Sequence, residues 1–198
     1  KNCKRNYIKE LRRIFFRIKF KTGLHLAFIG VDGSGKTTQI TKLLQSNLLH
    51  FFRAANVYHL YHKQTGQKNK KIKPYQKSYG RLLSLLKIFY LFFRYLKFYY
   101  IDILPLKIKS TLVINDRCHY DVMIDPKREA ICHFYTILNF LFKFLPKPDL
   151  TFFINTPSKH ILNRSNELSK EILVTNIKNY ENFSKKNKYI FNLKSSSY

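Results

Sequence analysis

Acidic residues are scarce: 11 Asp and Glu stand against 37 Lys and Arg in 198 residues, a formal net charge of +26. A charge of that size bears on solubility and nonspecific association with polyanions, not on reaction type. Lys, Asn, Ile, Phe and Tyr are abundant together, as low-GC coding produces, and most lysines are read as that bias. No specific nucleic-acid partner is expected. Cysteine is short too. Cys3, Cys118 and Cys132 are odd in number and far apart, with no CxxC pair, which excludes a zinc or disulfide framework and points to a reducing, cytoplasmic setting. The seven histidines show no ligand spacing. No signal peptide is expected, and no internal repeat is visible. The most apolar stretch, Leu82 to Leu104, carries Lys87, Arg94, Lys97 and Asp102. Each would cost about 2.5–3.5 kcal/mol at a bilayer centre, which excludes a spanning helix.

Against those absences, Gly30-Val31-Asp32-Gly33-Ser34-Gly35-Lys36-Thr37 fits the P-loop pattern, two glycines five apart followed by Lys-Thr. Upstream, Leu24 to Ile29 is an apolar run broken only by His25, enough for one buried strand. Downstream, Ile40, Leu43, Leu44 and Leu48 share one helical face. Strand, glycine turn and helix is what a phosphate cradle requires: glycines let the backbone amides turn inward, and the helix adds its positive dipole end. Lys36 then reaches the β- and γ-phosphates of ATP, and Thr37 holds Mg²⁺.

Residues 1–22 form a basic amphipathic segment, with Ile8, Leu11, Phe15 and Ile18 at helical spacing among Arg5, Lys9, Arg12, Arg13 and Arg17. It is expected to be a leader or linker from an upstream domain, able also to touch a membrane surface. The chain starts at Lys1 rather than Met, so a longer protein is expected around it. Residues 23–198 read as one α/β domain. Val57–Leu60 is expected as a second strand, residues 63–78 as a polar lysine-rich loop, and Ser84, Lys87, Leu91, Arg94 and Lys97 as a polar stripe on a helix ended by Pro105. Leu112–Arg117 is an apolar strand ending in an acid and a base, which places Asp116 and Arg117 beside the P-loop, at the carboxyl edge of a parallel sheet. The lesser alternative for Asp116 is a helix cap, and Cys118 with His119 is a weak candidate catalytic pair. A helix over 134–145, a strand over 150–154, a helix over 172–183 and a strand over 189–191 complete an alternation that argues for a parallel sheet covered on both faces.

The Asp-Gly-Ser-Gly-Lys-Thr-Thr loop, the strand ending in Asp116-Arg117 and Pro148-Asp149-Leu150-Thr151 together resemble the thymidylate kinase group of nucleoside monophosphate kinases, over roughly residues 24–194. Thr22-Gly23-Leu24, Tyr120-Asp121 and Asp125-Pro126 look closer still to the thymidylate kinase-like proteins associated with bacterial surface-polysaccharide synthesis. The resemblance implies a P-loop NTPase fold with a five-stranded parallel sheet, ATP and Mg²⁺ as cofactors, a small phosphorylated acceptor and a homodimer. It implies nucleotide contacts from Gly30, Val31, Asp32, Gly33, Ser34, Gly35, Lys36, Thr37, Thr38 and Arg164. Lys36, Asp32, Asp116 and Arg117 are the implied catalytic residues, Thr37 and Asp116 the metal-side residues, and Arg94 and Arg117 the acceptor-phosphate residues. Ile29, Asn155 and Cys118-His119-Tyr120-Asp121 depart from the group's pattern, the last replacing a thymine-enclosing segment. The acceptor is therefore left open between dTMP or a related nucleotide and a sugar or sugar phosphate, with a catalytically weak nucleotide-binding module as the further alternative. For a hydroxyl acceptor, Asp32, Asp116 or Asp121 would be the base.

Overall fold

The run Leu24–Ile29 becomes the central strand of the molecule because both its faces are covered. Leu26 and Phe28 point into one apolar cluster, and Ala27 and Ile29 point into another. The computed structural model describes residues 7–59, 62–63, 80–162 and 170–194. In chain order these form α1 (Tyr7–Lys19), β1 (Leu24–Ile29), α2 (Lys36–Leu44), β2 (Ala54–His59), β3 (His62–Lys63) and α3 (Arg81–Phe98). There follow a π-turn (Tyr99–Ile103), α4 (Leu104–Ile108), β4 (Thr111–Asp116), α5 (His119–Ile124) and a 3₁₀ turn (Pro126–Glu129). The chain continues through α6 (Tyr135–Phe142), β5 (Leu150–Asn155), α7 (Ser158–Leu162), α8 (Lys170–Lys186) and β6 (Ile190–Lys194).

The sheet order is β3-β2-β4-β1-β5-β6. Five strands run parallel, as the alternation of strands and helices implies, and the two-residue β3 adds an antiparallel step at the edge. Packing explains the two covered faces. Ile40 of α2 lies on the side of Leu26, Phe28, Leu112 and Ile114, while Leu173 and Tyr180 of α8 lie on the side of Ala27, Ile29 and Phe153. The connection from β1 leads to β2 on one side and that from β4 to β5 on the other, so the switch point of the topology falls between β1 and β4. Both carboxyl ends open there.

Two local expectations are corrected. The inward face of α3 is Ser84, Ile88, Leu91, Tyr95 and Phe98, so Ser84 and Leu91 do not join Lys87, Arg94 and Lys97 in a polar stripe. A helix apolar nearly all round leaves its buried face to be chosen by neighbours, and α6 and α5 choose this one. Nor does Pro105 end the helix. The Leu104 amide donates to Tyr99 O across a π-turn, and the wider turn carries the chain past the position where Pro105 has no N–H to give. Helical structure then runs on to Ile108. Most of the lysine-rich loop and the segment Arg164–Glu167 lie outside the described residues. Among the described residues, no helix is long and apolar enough to cross a membrane.

Candidate active site

The loop after β1 is built around conformations that few side chains adopt. Gly30 sits at φ 146°, where an added Cβ would also lie 3.1 Å from Ile154 O. Gly35, at φ 90°, is the N-cap of α2. Thr156, just past β5, braces the loop by donating its hydroxyl to Ser34 O at 2.8 Å. Lys36 is buried and folds back, donating Nζ to Gly30 O at 2.9 Å and to Val31 O at 2.8 Å. Burial, followed by the Arg117 charge, lowers its pKa to about 8 against the opposing pull of Asp116 and Asp32.

β4 delivers the second half of the site. Asp116 and Arg117 meet the loop in one open pocket of about 400 Å³, lined by Asp32, Gly33, Gly35, Lys36, Thr37, Thr38 and His59 as well. Arg117 adopts φ 78°, a left-handed conformation rare outside glycine, and its amide donates to Phe28 O at 2.9 Å. This turn drives the guanidinium inward, to 1% exposure. There it pairs through Nη2 with Asp32 and through Nη1 with Asp121 at 3.3 Å. Burial disfavours its charge, but Asp32 and Asp121 more than restore it, and its pKa rises. Arg128, on the 3₁₀ turn, takes the other oxygen of Asp32 at 2.7 Å. Burial pushes the Asp32 carboxyl up, yet Arg117, Arg128 and Lys36 outweigh it and hold the pKa at about 2. Asp116 accepts from His59 Nδ1 at 3.3 Å, and that contact with Lys36 and Arg117 overcomes burial to lower its pKa.

The remaining candidates separate cleanly. The N-cap of α5 is Cys118, closed by Asp121 in a reciprocal capping box, so Asp116 is not a cap. Cys118 is buried with its thiol pushed well up by burial and by Asp121, and burial holds His119 near 3; the two form no reactive pair. Asp121 is also consumed. It accepts the Tyr180 hydroxyl at 2.6 Å and the Cys118 amide at 3.0 Å besides Arg117, which leaves it no role as a base. Arg94 donates to the Tyr90 hydroxyl at 3.1 Å and does not line the pocket. Arg164 lies outside the described residues. Sequence reasoning missed His59, Arg128 and Tyr180, which no short motif marks.

For the metal, the donors that fit are the Thr37 hydroxyl and Asp116, whose Oδ1 is buried without a partner. No cluster of three His, Cys, Asp or Glu side chains able to hold a metal occurs among the described residues. That donor set suits an ion that arrives on nucleotide phosphates and keeps most of its waters.

A P-loop at the switch point of a parallel sheet, with a strand-end Asp-Arg facing it, defines a phosphotransferase of the nucleotide-kinase type. A family model described as thymidylate kinase matches residues 28–197, and the chain belongs to that family. A comparison with curated protein sequences gives no significant match. The fold is similar to the thymidylate kinase of Ehrlichia chaffeensis, with a TM-score of 0.57, 17% identity and coverage of 89% of each chain. It is similar also to the thymidylate kinase of Candida albicans, with a TM-score of 0.59, 16% identity and coverage of 87% of this chain and 83% of that one.

Proposed function

We propose that the chain transfers the γ-phosphoryl group of ATP, carried with Mg²⁺, to a small phosphorylated acceptor, a nucleoside monophosphate of the dTMP type. The supporting observation is the shared pocket of Lys36, Asp32, Asp116 and Arg117. Phosphoryl transfer needs positioning and charge neutralisation more than covalent chemistry. In this reading the amides of Gly33 to Thr38 cradle the phosphates. Lys36 exchanges its two loop carbonyls for β- and γ-oxygens. Thr37 and Asp116 hold the metal side, and Asp32 fixes Arg117 against the transferred group. The bound Mg²⁺ supplies charge neutralisation between the phosphates. A phosphate acceptor is already ionised at neutral pH, its second pKa being about 6, so no general base is required. The use of ATP is in keeping with a cytoplasmic setting. The exposed apolar residues of α3, from Leu82 to Phe93, serve in this reading as the face of a homodimer.

A sugar or sugar phosphate acceptor is the second reading. One observation favours it: Cys118, His119, Tyr120 and Asp121, standing where thymidylate kinases enclose thymine, are all buried in the core. A screen of ATP turnover against dTMP, other nucleoside monophosphates and sugar phosphates decides between them. Lys36→Ala should abolish turnover with whichever acceptor is used. Unchanged turnover and ATP affinity in that variant would refute the kinase reading altogether.

A further inference from the structure

The crevice occupies the carboxyl edge of the sheet, and the reaction makes no use of the opposite edge. There each parallel strand is entered past an exposed cation: Lys21 before β1, Arg53 before β2, Lys109 before β4, Lys147 before β5 and Lys188 before β6. The single acid in these entry segments is Asp149, and Lys107 Nζ pairs with it at 2.7 Å. Two aromatic side chains stand out beside the cations, Phe51 at 82% exposure and Tyr189 at 72%.

α1 leaves from the same edge. It is tethered there by the Gly23 amide, which donates to Lys107 O at 2.9 Å, and by a hydrogen bond between the Thr22 and Ser110 hydroxyls. Its described side chains are exposed on every side: Lys9, Arg12 and Lys19 as well as Phe15 and Ile18, one turn apart. Apolar residues flanked by cations, all exposed among the described side chains of α1, are the build of an interfacial helix. The 13 residues of α1 give about 20 Å of helix, too short for a hydrocarbon core of about 30 Å.

We propose that this edge, with α1, docks on an anionic lipid bilayer. Cations at the strand entries pair with headgroup phosphates while Phe15, Ile18, Phe51 and Tyr189 sink below them. The chemistry favours lipid over nucleic acid. Bases would stack on the aromatic rings, but aliphatic Ile18 gains nothing from them, and it gains from a hydrocarbon boundary. A second copy carries the same +26 and is repelled from a basic face. The geometry also separates the two ends: β1 sets about 20 Å between the docking edge and the P-loop, so a docked molecule keeps its crevice in water.

The test is co-sedimentation of the full chain, at physiological salt, with three probes: mixed phosphatidylglycerol–phosphatidylcholine vesicles, pure phosphatidylcholine vesicles and a single-stranded RNA. Binding to the mixed vesicles alone is expected. Arg53→Gln and Lys188→Gln should each weaken it by about fivefold. Phe15→Ser combined with Ile18→Ser should weaken it by about tenfold or more. All these positions are exposed, so each variant should keep the wild-type thermal midpoint. Equal partition into neutral vesicles, capture of RNA with vesicles ignored, or full vesicle binding by the Phe15/Ile18 variant would each overturn the proposal.

Discussion

Arg117 carries more obligations than a strand-end arginine needs if its only task is to meet a phosphate. Its guanidinium is shared between Asp32 and Asp121, and Asp121 is in turn fixed by Tyr180 and the Cys118 amide. A forked, planar cation can serve both carboxylates at once; an ammonium serves one. Arg117→Lys should therefore lower turnover on the order of 10³-fold, by analogy with arginines that neutralise a transferring phosphoryl group. ATP affinity should change little, because the loop amides and Lys36 remain. A drop in the urea midpoint should accompany it, since one buried carboxylate loses its partner. Turnover near wild type in a stably folded Arg117→Lys protein would remove Arg117 from the chemistry and leave Arg128, the other guanidinium on Asp32, to carry the role.

α3 shows what a single helix can conceal. Leu82, Leu86, Phe89, Tyr90 and Phe93 stay exposed although the inner face of the helix is fully packed. We propose that this stripe is an interface, since large exposed apolar patches serve as interaction sites. If it joins two copies, Leu86→Lys with Phe93→Lys should convert a dimer to a monomer in analytical ultracentrifugation. Salt should strengthen the wild-type dimer, because it screens repulsion between two chains of +26 each. A monomer at every salt concentration would sink the idea. The same helix marks the limit of legibility in the sequence. The P-loop could be read because its chemistry is packed into one continuous stretch, Gly30 to Thr37, and the Asp116-Arg117 strand end because the parallel sheet dictates where it emerges. The inner face of α3 could not be read, since an apolar residue at nearly every position removes the periodicity. His59 and Tyr180 were hidden for another reason: their partners Asp116 and Asp121 lie 57 and 59 residues away, and a pattern of neighbours says nothing about contacts of that range.

At the scale of the whole molecule, two buried imidazoles make stability depend on pH. His25 interrupts the apolar run of β1, and His119 opens α5; both border one small cavity with Asn115, Tyr95 and Phe98. Burial, with the charge of Lys107, lowers the pKa of His25 to about 4, and burial, with His25 itself, lowers that of His119 to about 3. In the unfolded chain both return to the ordinary value of 6.5. Below that pH the unfolded state binds protons that the folded state refuses, so stability rises with pH and is lost as pH falls from 6.5 towards 4. Each histidine contributes up to about 1.4 kcal/mol per pH unit across that window. Asp32 acts separately and lower. Its contribution is present above 3.8 and disappears as pH falls through about 2. Urea midpoints measured from pH 7 downward should therefore begin to fall near 6.5, well above the window that belongs to Asp32. His119→Gln removes one imidazole while keeping a neutral polar side chain, so it should roughly halve the slope in that window. It should leave the lower window, which belongs to Asp32, in place. A variant that keeps the full wild-type slope between pH 6.5 and 4 would show that His119 accepts its proton inside the folded protein, and that the cavity it borders is open to water.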